Sequence, residues 1–279
     1  MKQLIVNADD FGLTPGVTHG IIKSFREGIV RSTTVMMNFP ECQQAAIELK
    51  KANGLGIGVH LLITAGTPIL PAMQVQSLVD HEGRFLSVEK VIAHLEDINL
   101  DELRREWVAQ IDRFYNLFGT PDHLDSHHFI HLIPSFFKVF LELAQAYELP
   151  IRFPLPIPAM VDQPISLLRG VSKDRFKEIM LYNKAILDHT NIKYPTYFIE
   201  SFFGSGNIQE DYLVEILQKI PDGVTELMCH PGEMDSVLIS RSSYREEREI
   251  ELAILTSQYL RQMLEKMEIQ LVNYSCVKD

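Results

Sequence analysis

The sequence predicts an α/β protein of about seven or eight βα units, and three observations carry that prediction. Short runs rich in apolar and β-branched residues recur, each followed by a polar or glycine-containing turn and then by a stretch of helical periodicity. The run Gly56 to Thr64, GIGVHLLIT, is nearly continuous in apolar residues, as a strand covered on both faces would be. At 279 residues the chain is close to what one α/β barrel, typically roughly 250 residues, consumes.

Taken in order, Leu4 to Ala8 forms the first strand and Gly16 to Glu27 its helix, with Val17, Ile21, Ile22 and Phe25 on one stripe. Ser32 to Met37 is the second strand, and PECQQAAIELKKA the second helix, opening with proline in its first turn. After the third strand, residues 65–98 are punctuated by proline and glycine and are expected to be an inserted loop region over the barrel mouth. A long helix from Leu100 to Leu117 follows, striped by Leu103, Trp107, Gln110, Ile111, Phe114 and Leu117. HLDSHHFIHLIP then gives a short strand and loop ahead of a helix beginning near Pro134. Later strands are expected at Ile151–Phe153, Thr196–Glu200, Glu226–Cys229 and Ile269–Val272, with the last helix spanning Arg245 to Met267. With no internal repeat and no long linker, residues 1–279 are expected to form a single domain.

Composition narrows the function class. The formal charge of −11 disfavours nucleic acid and anionic membrane as partners, and the pair Arg104-Arg105 is flanked by Glu102 and Glu106. Cys42, Cys229 and Cys276 are odd in number and widely spaced, which speaks against a disulfide framework or a thiolate metal site and fits a reducing cytoplasm. No stretch reads as a signal peptide or a membrane span, so a cytoplasmic protein is expected.

In a parallel barrel, chemistry gathers where strands end and βα loops begin. The polar residues that interrupt the strand pattern lie at such points: Asp9-Asp10 after the first strand, His60 in the third, Asp125 and His127 after the fourth, and His230 after the seventh. Neighbouring strand residues face opposite ways, so Asp9 and Asp10 reach one centre only if the strand has ended, which Phe11-Gly12 permits. Adjacent carboxylates repel unless a cation intervenes or one is protonated. A helix N-cap or solvated turn is the plainer alternative for such a pair.

In DHLDSHH, positions 123, 125 and 127 share a face if the backbone is extended, which makes His127 the best-placed imidazole and Asp125, two residues back, a candidate to orient it. His60 sits inside an apolar run, where an unpaired polar side chain would cost roughly 1–3 kcal/mol, so it calls for a partner. One carboxylate oxygen and two imidazoles suit a divalent ion with positions left open: zinc by nitrogen content, magnesium if more oxygens join. His230 in LMCHPGEMD ends a strand against a forced turn and suits a general acid, with an ordinary loop histidine the alternative. Arg152 in PIRFP is a candidate to orient Asp9 or touch substrate, or a surface arginine. Phe11, Phe39, Tyr197, Phe202 and Phe203 can stack on a sugar or fill the core.

Four motifs in this order, LIVNADDFG, GVHL, LDSHHFIHLIP and CHPGEMD, resemble the YdjC-like carbohydrate deacetylase family, which includes chitooligosaccharide deacetylases, over essentially the whole chain. The resemblance implies a distorted (β/α) TIM-like barrel of about seven strands, a homodimer, and removal of acetyl groups from N-acetylated sugars with one divalent metal ion, Mg2+ or Zn2+. It implies metal ligation by Asp10, His60 and His127, with Asp9 as general base and His230, protonated, as general acid. The family's D-S-H-x-H-x-H pattern is broken at Phe129, which bears on loop packing or substrate contact rather than on the implied ligands. Two other functions share these residues: hydrolysis of another bond such as a phosphoester, and non-catalytic sugar binding.

Overall fold

The computed structural model describes residues 1–160, 167–204 and 206–277. Its strands are β1 (Lys2–Phe11), β2 (Ser32–Val35), β3 (Gly56–Leu61), β4 (Leu124–Ser126), β5 (Tyr197–Ile199), β6 (Gly223–Cys229) and β7 (Gln270–Val272). All pair in parallel, in the order β4-β3-β2-β1-β6-β5, and β7 pairs with the first half of β1 through Gln3, Leu4 and Ile5.

The curled sheet has a seam between β4 and β5, and the segment Pro150 to Pro156 runs along it. Ile151 bridges to Leu124 on one side, and Pro156 bridges to Phe198 on the other. A distorted barrel of seven strands is therefore what forms, but the expected strand Ile151–Phe153 is only an isolated bridge. Prolines at 150, 154, 156 and 158 leave too few N–H donors there for a ladder.

Between the strands lie α1 (Pro15–Glu27), α2 (Cys42–Leu49), α3 (Val88–Ala93), α4 (Leu100–Phe118), α5 (Pro134–Ala146), α6 (Lys173–Leu187), α7 (Glu210–Gln218), α8 (Ser236–Arg241), α9 (Glu246–Leu255) and α10 (Gln258–Lys266). The Thr14 side chain accepts from the Val17 N–H and Pro15 opens the first turn, so α1 starts where both signals agree; it buries Val17, Ile21 and Ile22. Helix α4 is capped by Asn99, buries Leu103, Trp107, Ile111 and Phe114, and stops at Gly119, whose φ of 85° suits glycine. Each such apolar side chain, fully buried, contributes roughly 1.5–3 kcal/mol.

Two further expectations are revised. Residues 65–98 are not a plain loop: they contain α3 and short 3-10 turns, and the buried Glu106 of α4 pins them by accepting from the Ile69 and Leu70 N–H groups. The last helix is broken, because the Ser257 side chain accepts from the Tyr259 and Leu260 N–H groups and starts α10 afresh.

Candidate active site

The two acids lie inside β1, which runs on to Phe11 instead of ending at Ala8. Their convergence comes from a bulge. Ala8 pairs with Thr33 and Phe11 with Val35, so β1 spends three steps where β2 spends two. Asp10 absorbs the extra residue with a φ of 74°, a left-handed conformation that Asp tolerates better than most side chains. Both carboxylates thereby meet buried partners at the C-terminal end of the barrel.

Each acid has its own arginine. Arg152, fully buried on the seam segment, donates from Nη1 to Asp9 Oδ2 and from Nη2 to Asp9 Oδ1, both at 2.7 Å. Its Nε donates to Glu226 Oε1 at 2.9 Å, and Nη1 stands 2.7 Å from Asp125 Oδ2. Asn7 Nδ2 adds a third donor to Asp9, on Oδ1 at 2.8 Å. Asp10 is held differently: Arg248 of α9 donates from Nη2 to Oδ2 alone, at 2.5 Å. Burial would push the Asp10 carboxyl up, but the charges of Arg248 and His127 hold it well below the usual carboxylate range.

The other oxygen, Asp10 Oδ1, is buried without a hydrogen-bond partner among the described residues. It faces His127 Nδ1 at 3.3 Å and His60 Nε2 at 3.6 Å. His60 Nδ1 is bonded to Asp125 Oδ1 at 2.7 Å, which as a donor leaves Nε2 with its lone pair directed to the same point. One ligand atom from each of Asp10, His60 and His127 lies within 4.8 Å of the others. Three potential ligand atoms converging on one point, one of them an orphaned buried carboxylate oxygen, fit a divalent cation, whose binding would hold both imidazoles neutral. Asp125 thus orients His60 and not, as its spacing suggested, His127. Burial opposes charge on His60, but Asp125, Asp9 and Asp10 together raise its pKa above the ordinary histidine value.

Across from this cluster, His230 follows β6. Its backbone N–H donates to Glu251 Oε2 at 2.5 Å, while Glu251 Oε1 accepts from the Tyr244 hydroxyl at 2.5 Å. The buried Nδ1 of His230 has no hydrogen-bond partner among the described residues. Burial pushes the imidazole down to about 4, with Asp9 and Asp10 only partly offsetting it, so the ring expected to be protonated is neutral at pH 7.

The remaining histidines of the cluster at 123–131 have other hydrogen-bond or stacking partners, although the His128 ring lies 3.7 Å from that of His127. His123 stacks on Tyr274 with ring centroids 3.6 Å apart, His128 Nδ1 bonds the Thr64 hydroxyl, and His131 Nδ1 bonds the Ser126 hydroxyl. Of the aromatics considered for sugar stacking, Phe11, Phe39 and Phe202 are buried, whereas Phe203 is 43% exposed. It stacks on Tyr244 at 4.7 Å and its ring lies 5.1 Å from that of His230.

Sequence reasoning did not single out Glu226, Arg248, Glu251, Tyr244 or Tyr274. Glu226 carried the same signal as His60, a charged side chain inside a buried strand, GVTELMC. Arg248 and Glu251 lie in REEREIELAIL, where surrounding charges make a solvated face the natural reading.

With this geometry in place, residues 3–266 match a protein family, the YdjC-like proteins. The chain belongs to that family. A carbohydrate deacetylase of Clostridium beijerinckii is 35% identical over 274 residues, 98% of each chain. A chitooligosaccharide deacetylase of Yersinia enterocolitica is 37% identical over 278 residues, again 98% of each. A crystal structure from Enterococcus faecalis V583, named provisionally for cellobiose-phosphate cleavage, superposes with a TM-score of 0.82 at 34% identity, covering 99% of this chain and 98% of that one. In this YdjC-like chain Arg248 and Glu251 fall within the matched residues, and Tyr274 lies beyond them. No helix among the described residues is long and apolar enough to cross a membrane.

Proposed function

We propose that this protein is a metal-dependent carbohydrate deacetylase that hydrolyses the acetamide of an N-acetylated sugar to acetate and a free amine. The single observation that carries the reading is the orphaned Asp10 Oδ1 facing His60 and His127, next to an Asp9 whose two oxygens are both engaged by Arg152. The deacetylase names of the Clostridium and Yersinia relatives support the acetamide as the bond. Asp10, His60 and His127 would hold the ion, Zn2+ by their nitrogen content or Mg2+ with added water oxygens. Such an ion acidifies water and polarises the acetamide carbonyl when bound.

The chain's own residues supply the proton steps. Asp9 Oδ1 already accepts from Arg152 and Asn7, whereas Oδ2 accepts only from Arg152, so Oδ2 keeps the lone pair that takes the proton of the attacking water. The departing nitrogen needs one proton, because an amide nitrogen does not leave as an anion. His230, neutral at rest, would take up on its unpartnered ring nitrogen the water proton first held at Asp9, and the imidazolium so formed would hand it to the departing nitrogen, which returns His230 to its resting neutral form. Phe203 offers an open aromatic face beside His230 on which a sugar ring can lie.

The test is acetate release from N-acetylglucosamine, its 6-phosphate and short chitooligosaccharides, with and without chelator. Chelator-sensitive acetate release supports the reading. Cleavage of a chromogenic phosphate ester without acetate release would replace it by a phosphoester hydrolase, and metal-independent sugar binding without turnover by a binding protein.

A further inference from the structure

Helix α9 lies outside the strands, yet two of its side chains are buried in the site: Arg248 at 3% exposure and Glu251 at 0%, three residues and so nearly one turn apart. Glu251 fixes the backbone of His230, and Arg248 takes one oxygen of Asp10. The Arg248 guanidinium is itself clamped: Nε donates to the Tyr244 carbonyl at 3.1 Å, and its carbon lies 5.7 Å above the Tyr244 ring. The Arg248 carbonyl accepts from the Gly232 N–H at 3.1 Å, which ties α9 to the turn after His230.

A carboxylate beside a divalent ion can bind through one oxygen or both. With Oδ2 occupied by Arg248, only Oδ1 remains directed at His60 and His127. We propose that Arg248 is a positioning residue that reserves Asp10 Oδ2, so that Asp10 binds its cation through Oδ1 alone and a coordination position stays open for water and the acetyl oxygen. The inference rests on the metal site proposed above. It needs a planar cation with two donors at a fixed angle, since Nε and Nη2 are used at once on different acceptors; lysine supplies the charge without that fork.

The expected signature separates positioning from plain structural support. A neighbouring positive charge weakens cation binding, so removing it while freeing the second Asp10 oxygen should leave metal affinity equal or higher while turnover falls. Arg248→Met, Arg248→Gln and Arg248→Lys are compared with the full-length protein by Zn2+ titration against a competing chelator, by acetate release, and by circular dichroism. For Arg248→Met we expect Zn2+ affinity at least that of the parent with kcat/KM down by about tenfold or more, and partial recovery of kcat/KM in Arg248→Lys. Arg248→Gln, able to donate one hydrogen bond, should fall between them.

Loss of Zn2+ affinity in parallel with activity in a folded Arg248→Met would make Arg248 a structural prop and overturn the proposal, as would unchanged activity. His60→Ala serves as the control for the underlying site. If it binds Zn2+ as the parent does, the metal site is wrongly placed and this proposal falls with it; if it loses Zn2+ while Arg248→Met fails the pattern above, only the role of Arg248 is at fault.

Discussion

Arg152 grips both carboxylate oxygens of Asp9 at 2.7 Å, and the same fully buried guanidinium also meets Asp125 and Glu226. One cation therefore serves three buried acids, and Tyr274, in the 3-10 turn after β7, closes the group by donating to Glu226 Oε2 at 2.5 Å. Burial pushes the Glu226 carboxyl up, against Arg152, whereas for Asp125 the charges of Arg152 and His60 overcome burial and hold it below the usual range.

Arg152→Met should accordingly destabilise the fold by about 3–5 kcal/mol, because truncating one partner strands buried charges that no water can reach. Arg152→Lys should recover part of the stability but little of the turnover, since an ammonium cannot hold two oxygens of Asp9 in plane. Urea unfolding alongside acetate release checks both; an Arg152→Met protein as stable as the parent would mean that the carboxylates take up protons at no cost.

Asp9 and Asp10, adjacent in sequence, should separate cleanly by mutation. Asp9→Asn is expected to bind Zn2+ and lose turnover, His60→Ala to lose Zn2+ itself, and Asp125→Asn to bind Zn2+ about 10–100-fold more weakly by disturbing the orientation of His60. Metal content after dialysis and the acetate assay distinguish the three. Undiminished activity in Asp9→Asn would remove Asp9 from the role of base.

What the sequence made legible was the set of polar residues that break apolar strands. His60 and the Asp9-Asp10 pair stand out because a strand buried on both faces has no reason to carry them, and the same logic applied to Glu226 would have found it. The way the acids converge was not legible: a bulge with a left-handed Asp10 has no composition signal, and an ended strand explained the same residues. Arg152 was visible only as an alternative, since the prolines around it erase the strand pattern that marks burial. Arg248 and Glu251 were hidden among the charges of α9, where the buried face carries an arginine and a glutamate beside Leu252 and Leu255.

Phe203 should report on the sugar and not on the chemistry. Its exposed face lies beside His230, so Phe203→Ala is expected to raise KM for an acetylated sugar by roughly three- to tenfold, the worth of one aromatic stacking contact, with kcat little changed. Phe203→Trp should retain the parent KM. An equal fall in kcat with constant KM would instead place Phe203 in support of the His230 ring.

Glu251 should set a pH dependence of stability. Burial pushes its carboxyl up to about 7 from an ordinary 4.5, despite hydrogen bonds from the His230 N–H and the Tyr244 hydroxyl and the charge of Arg248. Between pH 4.5 and about 7 the folded chain keeps a proton there that the unfolded chain has released, so this contribution is full below 4.5 and is lost as the pH rises through 7. The loss is on the order of 3 kcal/mol for a fully buried group with that displacement. Glu251→Gln cannot ionise but still offers the His230 N–H an amide oxygen, so its stability should fall less than the parent's between about pH 5 and pH 8. Comparing the two metal-free proteins by denaturant titration cancels every other titrating group. A difference that stays constant across that range would mean that Arg248 and the two donors keep Glu251 ionised throughout, and that burial is not the dominant influence on it.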